Sequence, residues 1–186
     1  RGRAYFTKIL HQCSSVMQKI VTCPKPVIAE IDGVATAAGC QLVASCDLAL
    51  ASSESQFATP GVNIGLFCST PMVALSRNVN KKSAMHMLLT GDLINSEKAK
   101  DIGLINDVFQ KHQLTDEVNK LAEKIATKSS MTVKIGKKAF YDQAEMDLSK
   151  AYEYTSMIMS ENLLNRDAKE GIDAFLNKRS PDWKNE

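Results

Sequence analysis

The residues that bear on chemistry gather in one short stretch, 32-DGVATAAGCQLVASCD-47, where an apolar run gives way to a helical pattern. Ala35, Thr36, Ala37, Ala38 and Gly39 are all small, and Gln41 is the one long polar side chain among them. The first N–H groups of a helix have no internal acceptor, and the macrodipole adds partial positive charge there. Small side chains let a ligand reach those groups. The turn therefore suits an anion, or a carbonyl that becomes an oxyanion. The same pattern also serves close helix–strand packing, and spacing alone leaves both readings open. It is not a nucleotide-type phosphate loop, because neither GxGxxG nor GxxxxGK[ST] is present.

Further along, 66-LFCSTPMV-73 holds a thiol, Cys68, beside Ser69 and Thr70. A nucleophilic thiolate needs a base, and His11, His86 and His112 all lie on helical patterns remote in sequence. The quieter expectation is a buried thiol, with Ser69 or Thr70 capping the helix that follows. No histidine pair has metal-ligand spacing, so no metal site is expected. Asp32 is expected to hold the turn before Gly33, and Asp47 to bond backbone N–H groups at a strand start.

These residues need elements to position them. The spacing of Phe6, Ile9, Leu10, Cys13, Val16, Met17 and Ile20 predicts a helix over 4–21, stopped by Pro24 and Pro26. A strand over 27–31, a turn at Gly33, a helix over 38–45 and a strand over 46–52 give an α/β pattern. Loop and short extended pieces follow over 53–68. Helical patterns then occupy 70–77, 81–89, 96–102, 113–128, 131–143, 147–160 and 165–177. Asn95 or Ser96 caps the third of these and Gly103 ends it. Tyr152, Tyr154, Met157 and Met159 look exposed on the late helices. An α/β core over 1–108 and a helical region over 109–186 are the expected domains.

The bulk numbers exclude little but consistently. Of the 186 residues, 44% are hydrophobic and 24% charged, a globular balance. A net charge of +2 gives no electrostatic case for nucleic acid. The apolar stretches fall short of the ~20 residues a membrane-crossing helix needs. Five irregularly spaced cysteines without a CxxC motif fit reduced thiols inside a cell rather than a secreted protein.

The run 26-PVIAEIDGVATAAGCQLVASCDLALAS-52 resembles the enoyl-CoA hydratase/isomerase (crotonase) superfamily, as do 57-FATPGVNIGL-66, 89-LTGDLINSEKAKDIGLINDV-108 and 170-EGIDAFLNKRSPDW-183. The resemblance implies a crotonase-like spiral α/β core, whose N-terminal part would precede Arg1, and a C-terminal helical region that forms homotrimers or hexamers. It implies an acyl-CoA thioester substrate in lipid metabolism and no separate cofactor, since coenzyme A is part of the substrate. It further implies that Ala38 supplies an oxyanion N–H flanked by Ala37 and Gly39. Gln41 and Gly61 match the positions of the family's two glutamates, and Asn63 matches an aspartate of dienoyl-type isomerases. Phe175 and Lys178 match coenzyme A contacts.

With an amide at 41 and no side chain at 61, ordinary hydration is expected to be weak or absent, and Gln41→Glu with Gly61→Glu to raise it. A CoA-thioester binder without chemistry is the alternative, with thioester hydrolysis through Cys68 a weaker third. The implied compartment is the mitochondrial matrix in a eukaryote or the cytoplasm in a bacterium.

Overall fold

The computed structural model describes residues 1–186. Compactness divides them into two units, Arg1–Cys23 with Val27–Lys120, and Pro24–Pro26 with Leu121–Glu186.

The first unit begins with helix α1 (Arg3–Val21) and continues through β1 (Ile28–Ile31), β2 (Val34–Thr36), α2 (Ala38–Ser45), β3 (Leu48–Ser52) and β4 (Gln56–Ala58). A 3-10 turn (Pro60–Ile64), α3 (Pro71–Asn78), α4 (Lys81–Thr90), β5 (Ile94–Asn95), α5 (Ser96–Asp101) and β6 (Asp107–Phe109) follow. Helix α6 (Lys111–Ala126) starts in this unit and runs past its end. The expected division at 108 falls instead within the last strand, ahead of α6.

Two small sheets carry this unit. β1, β3 and β6 are parallel, in the order β1-β3-β6. β2 pairs parallel with β4, and β5 joins β4 antiparallel. The chain changes sheet between β1 and β2, and again between β3 and β4, so the two passes stack as successive turns of a spiral. Gly33 makes the first corner at φ 111, a conformation open to glycine and costly for other residues. Ser55 ties the two corners together. Its hydroxyl donates to the Ile31 carbonyl at 2.9 Å and accepts from the Gly33 N–H at 3.2 Å. Asp47 accepts from the Val27 N–H at 2.7 Å. Asp32 sits in an ion pair with Lys111 at 2.8 Å, which holds its carboxyl below the usual range.

The core between the layers is narrow and rich in small residues. Ala49, Ala51, Phe57, Leu75, Met87, Ala99, Leu104 and Ile105 are buried together. Asn95 caps α5 by accepting from the Lys98 N–H at 2.9 Å, and Gly103 follows its end at φ 84.

The second unit holds most of α6 beyond Lys120, then α7 (Ser130–Gln143), α8 (Leu148–Leu164) and α9 (Arg166–Leu176). Its C-terminal segment is fastened back onto α9. Asp167 is buried and accepts from Ser129 Oγ at 2.5 Å and from the N–H groups of Lys184 and Asn185, each at 2.9 Å. Glu170 accepts from both terminal nitrogens of Arg179 and from the Asp182 N–H. The Trp183 indole donates to the Thr127 carbonyl at 2.8 Å. A Cβ at Gly171 would stand 3.0 Å from the Trp183 ring, so glycine there gives the ring its seat. Of the four late residues read as exposed, Tyr152, Met157 and Met159 are, while Tyr154 is half-buried and donates to Asp142 at 2.8 Å.

Candidate functional site

The register of β2 and β4 brings the site residues to one end of the second sheet. Thr36 lies opposite Ala58, and both strands run the same way, so α2 and the 3-10 turn leave from the same edge. That edge, the carboxyl end of parallel strands, is where α/β sheets commonly place ligands.

Ala37 forms the corner into α2 at φ 49 and ψ −113. A side chain rarely adopts this geometry, and the cost is of order 1–3 kcal/mol. The Ala37 N–H is held by the Ala58 carbonyl at 3.0 Å. Its carbonyl accepts from Gln41 N at 2.9 Å. The next amides, Ala38 and Gly39, open the helix and have no acceptor within the protein. Ala38 is exposed. A Cβ built at Gly39 would meet only the Ala35 methyl, at 3.9 Å, an ordinary contact. Packing within the protein therefore does not require glycine at 39.

Gln41 is 4% exposed, and its Oε1 accepts a long contact from the Cys13 thiol at 3.9 Å. Nothing in the sequence pattern pointed to that partner on α1. Two thiols sit below the turn. Burial, with a further contribution from neighbouring Cys68, pushes the Cys40 thiol up to about 12, so it stays protonated and inert at neutral pH. All five cysteines are free.

Gly61 and Asn63 lie on the 3-10 turn. A Cβ at Gly61 would meet the Leu66 carbonyl oxygen at 2.8 Å, Cys68 Sγ at 2.9 Å and Cys68 N at 3.3 Å. Position 61 has no room for a side chain unless the 66–68 backbone moves, which weighs against a gain in hydration from glutamates at 41 and 61. The Gly61 N–H donates to Cys68 Sγ at 3.3 Å. Thr59, the residue before the turn, is fully buried and its hydroxyl has no partner. Asn63 is exposed, its side chain makes no hydrogen bond, and its amide lies against Gly91. The expected helix cap from Ser69 or Thr70 is absent. Ser69 Oγ donates to the Phe67 carbonyl at 3.3 Å, and Thr70 precedes α3 without a side-chain bond to it.

Phe175 and Lys178 belong to the second unit. Phe175 is 82% exposed. Lys178 occupies the left-handed position after α9 at φ 52, with Arg179 N donating to the Ala174 carbonyl and Lys178 N to that of Phe175. Glycine is usual there, so this lysine is held at some cost. No three His, Cys, Asp or Glu side chains converge as a metal would require. A surface depression of about 850 Å³ runs along α1 past Arg3, Thr7, His11 and Ser15 and is lined by none of the expected site residues.

Residues 4–186 match the family model for enoyl-CoA hydratase/isomerase. The chain belongs to the enoyl-CoA hydratase/isomerase family. It is 51% identical over 186 residues to the human mitochondrial enoyl-CoA hydratase domain-containing protein 3, covering 100% of this chain and 61% of that protein. It is 34% identical over 171 residues to the crotonyl-CoA hydratase of Syntrophomonas wolfei, covering 90% of this chain and 65% of that protein.

Among solved structures, the human enoyl-CoA hydratase domain-containing protein 3 superposes with a TM-score of 0.95 at 52% identity, over 98% of this chain and 72% of that one. A Mycobacterium smegmatis enoyl-CoA hydratase superposes at 0.97 and 47%, over 98% and 71%. The family's crotonase-like fold is thereby shown. The chain spans about three fifths of the length of the curated relatives it matches, 61% for the rat, human and mouse proteins.

Proposed function

We propose that this chain forms part of a protein that binds an acyl-CoA thioester, with the Ala38 N–H polarising the thioester carbonyl and coenzyme A entering only as part of the substrate. The observation that carries the reading is the unbonded Ala38 amide directly beyond a strained Ala37. Strain of this kind persists where the surrounding structure over-determines it, and it clusters at ligand sites. The room at Gly39 favours an approaching ligand over packing as the reason for glycine. The hydratase names of the relatives, one of them a crotonyl-CoA hydratase, support the substrate class.

The site offers no carboxylate at positions 41, 61 or 63. Gln41 and Asn63 are amides that orient a water or a carbonyl by hydrogen bonds but do not exchange a proton near neutral pH. General acid–base groups contribute about 10²–10⁴-fold each. Ordinary hydration of an enoyl thioester is accordingly weak or absent in this reading, which leaves isomerisation through an enolate held at Ala38 only with the proton carried by substrate or water. Phe175 and Lys178 are assigned to the coenzyme A moiety, and the active assembly to a homotrimer or a hexamer of two trimers. The setting is lipid metabolism, in mitochondria if the source is eukaryotic, as the relatives' names suggest.

The decisive experiment replaces the Ala38 amide by an ester, which removes one N–H and keeps the side chain. Loss of an oxyanion donor costs about 10²–10³ in rate in other enzymes. Butanoyl-CoA binding, or enoyl-CoA turnover, should fall while binding of free coenzyme A stays. Equal loss of both would reject the oxyanion role. A second reading, a thioester binder without chemistry, is favoured by the same missing carboxylates; it predicts retention of acyl-CoA with no change in the enoyl absorbance over time.

A further inference from the structure

We infer that Cys13 on α1 sets which end of the Gln41 amide meets the ligand, so that position 41 offers hydrogen-bond donors and the site favours an acyl group with a second acceptor oxygen; this rests on the thioester reading above. Gln41 lies on the first turn of α2, which opens with the unbonded amides of Ala38 and Gly39. Helical side chains tilt toward the N-terminus of their helix, which aims this one at the open mouth. Residues three apart on a helix face stand about 5–6 Å apart at Cβ, so the amide reaches the same acyl group as the Ala38 N–H.

One end of the amide is held and the other is free. Oε1 accepts from the Cys13 thiol at 3.9 Å, where α1 packs on α2. A thiol hydrogen needs an acceptor, and in an amide side chain only the oxygen is one. Nε2 is then left with two donors and no partner, although the residue is 4% exposed. An unmet donor in a buried side chain is costly unless something reaches it. The fully enclosed side-chain atom without a partner is the Thr59 hydroxyl, not Gln41 Nε2, so Nε2 still touches solvent. The backbone beneath is fixed, with Gln41 N–H donating to the Ala37 carbonyl at 2.9 Å and the Gln41 carbonyl accepting from Ser45 Oγ at 2.8 Å. A seated side chain thus presents a donor pair at the helix mouth. An oxygen that only accepts, such as a 3-oxo group two carbons from the thioester carbonyl, satisfies it; a plain alkyl chain does not.

The test titrates natural full-length protein and its variants with butanoyl-CoA and with 3-oxobutanoyl-CoA and reads the ratio of affinities. The natural protein should favour the 3-oxo thioester by roughly fivefold, the worth of one neutral hydrogen bond. Gln41→Met keeps the length without the donors and should erase the preference. Cys13→Ala releases the amide and should lower the preference, while Cys13→Ser keeps a donor to Oε1 and should retain it. Alanine and serine differ little in size, so a difference between those two variants belongs to the hydroxyl donor rather than to packing. Thermal unfolding checks that each variant is folded, and where the alanine variant is not, Cys13→Val, which also lacks a donor, replaces it. Equal affinities in the natural protein overturn the donor assignment, as does a Gln41→Met variant that keeps the preference. An alanine variant with the natural ratio, or a serine variant that behaves like alanine, overturns the role of Cys13. If the natural protein binds neither thioester, the thioester reading itself fails and takes this inference with it.

Discussion

Ala37 donates its N–H to the Ala58 carbonyl at 3.0 Å, and that bond decides which amide at the mouth of α2 is left over. With Ala37 held back onto β4, the chain must turn through a positive φ to start the helix, and Ala38 becomes the first amide without an acceptor.

The strain at Ala37 should be measurable. Ala37→Gly relaxes a φ of 49 and should stabilise the protein by about 1 kcal/mol, seen as a higher thermal midpoint. Ala37→Val adds a β-branched side chain at the same backbone angles and should lower it. A glycine variant no more stable than the natural chain would mean that the corner is not strained.

Position 61 should resist any side chain. Gly61→Ala places a methyl 2.8 Å from a backbone oxygen and should cost about 1–3 kcal/mol in denaturant unfolding. Gln41→Glu with Gly61→Glu should accordingly give no hydratase activity and a less stable protein. A neutral alanine variant would show that the 66–68 loop yields easily.

Asn63 allows a cleaner separation of folding from binding. It is exposed and its side chain makes no hydrogen bond, so Asn63→Ala should change stability by less than about 0.5 kcal/mol. Any fall in acyl-CoA affinity in that variant then belongs to the ligand. Unaltered affinity and turnover would remove Asn63 from the site.

The fastened C-terminal segment should loosen in acid. Arg179 beside Glu170, with the Asp182 N–H, holds that carboxyl down from 4.5 to about 2. Ser129, with the N–H groups of Lys184 and Asn185, holds Asp167 below its usual value. A carboxyl whose folded value is depressed stabilises above its unfolded value and loses that contribution as pH falls through the folded one. Stability from Glu170 is therefore complete above about pH 4.5 and disappears toward pH 2. Trp183 is the one tryptophan, and its indole is bonded to Thr127, so its fluorescence should report the release. Glu170→Gln should move that transition. A signal flat from pH 5 to 2 would contradict the assignment.

The helices were legible because their apolar spacing and their stops are written in side chains. α2 was expected over 38–45 and spans Ala38–Ser45, and Pro24 and Pro26 mark the end of α1 as proline must. β2, β5 and β6 were not anticipated. They have three, two and three residues, too few for an alternation to register, and they exist because neighbouring strands offer them partners. At the site, small residues signalled an open helix mouth. The positive φ at Ala37 left no trace, since glycine advertises such an angle and alanine does not. The filling of the space beside Gly61 by Cys68 was equally hidden, because seven positions of separation carry no periodic signal in a loop.

The crowding at Gly61 also ties two stretches of sequence together. A side chain at position 61 requires the segment from Leu66 to Cys68 to shift, so substitutions at 61 and within that segment are expected to couple rather than add.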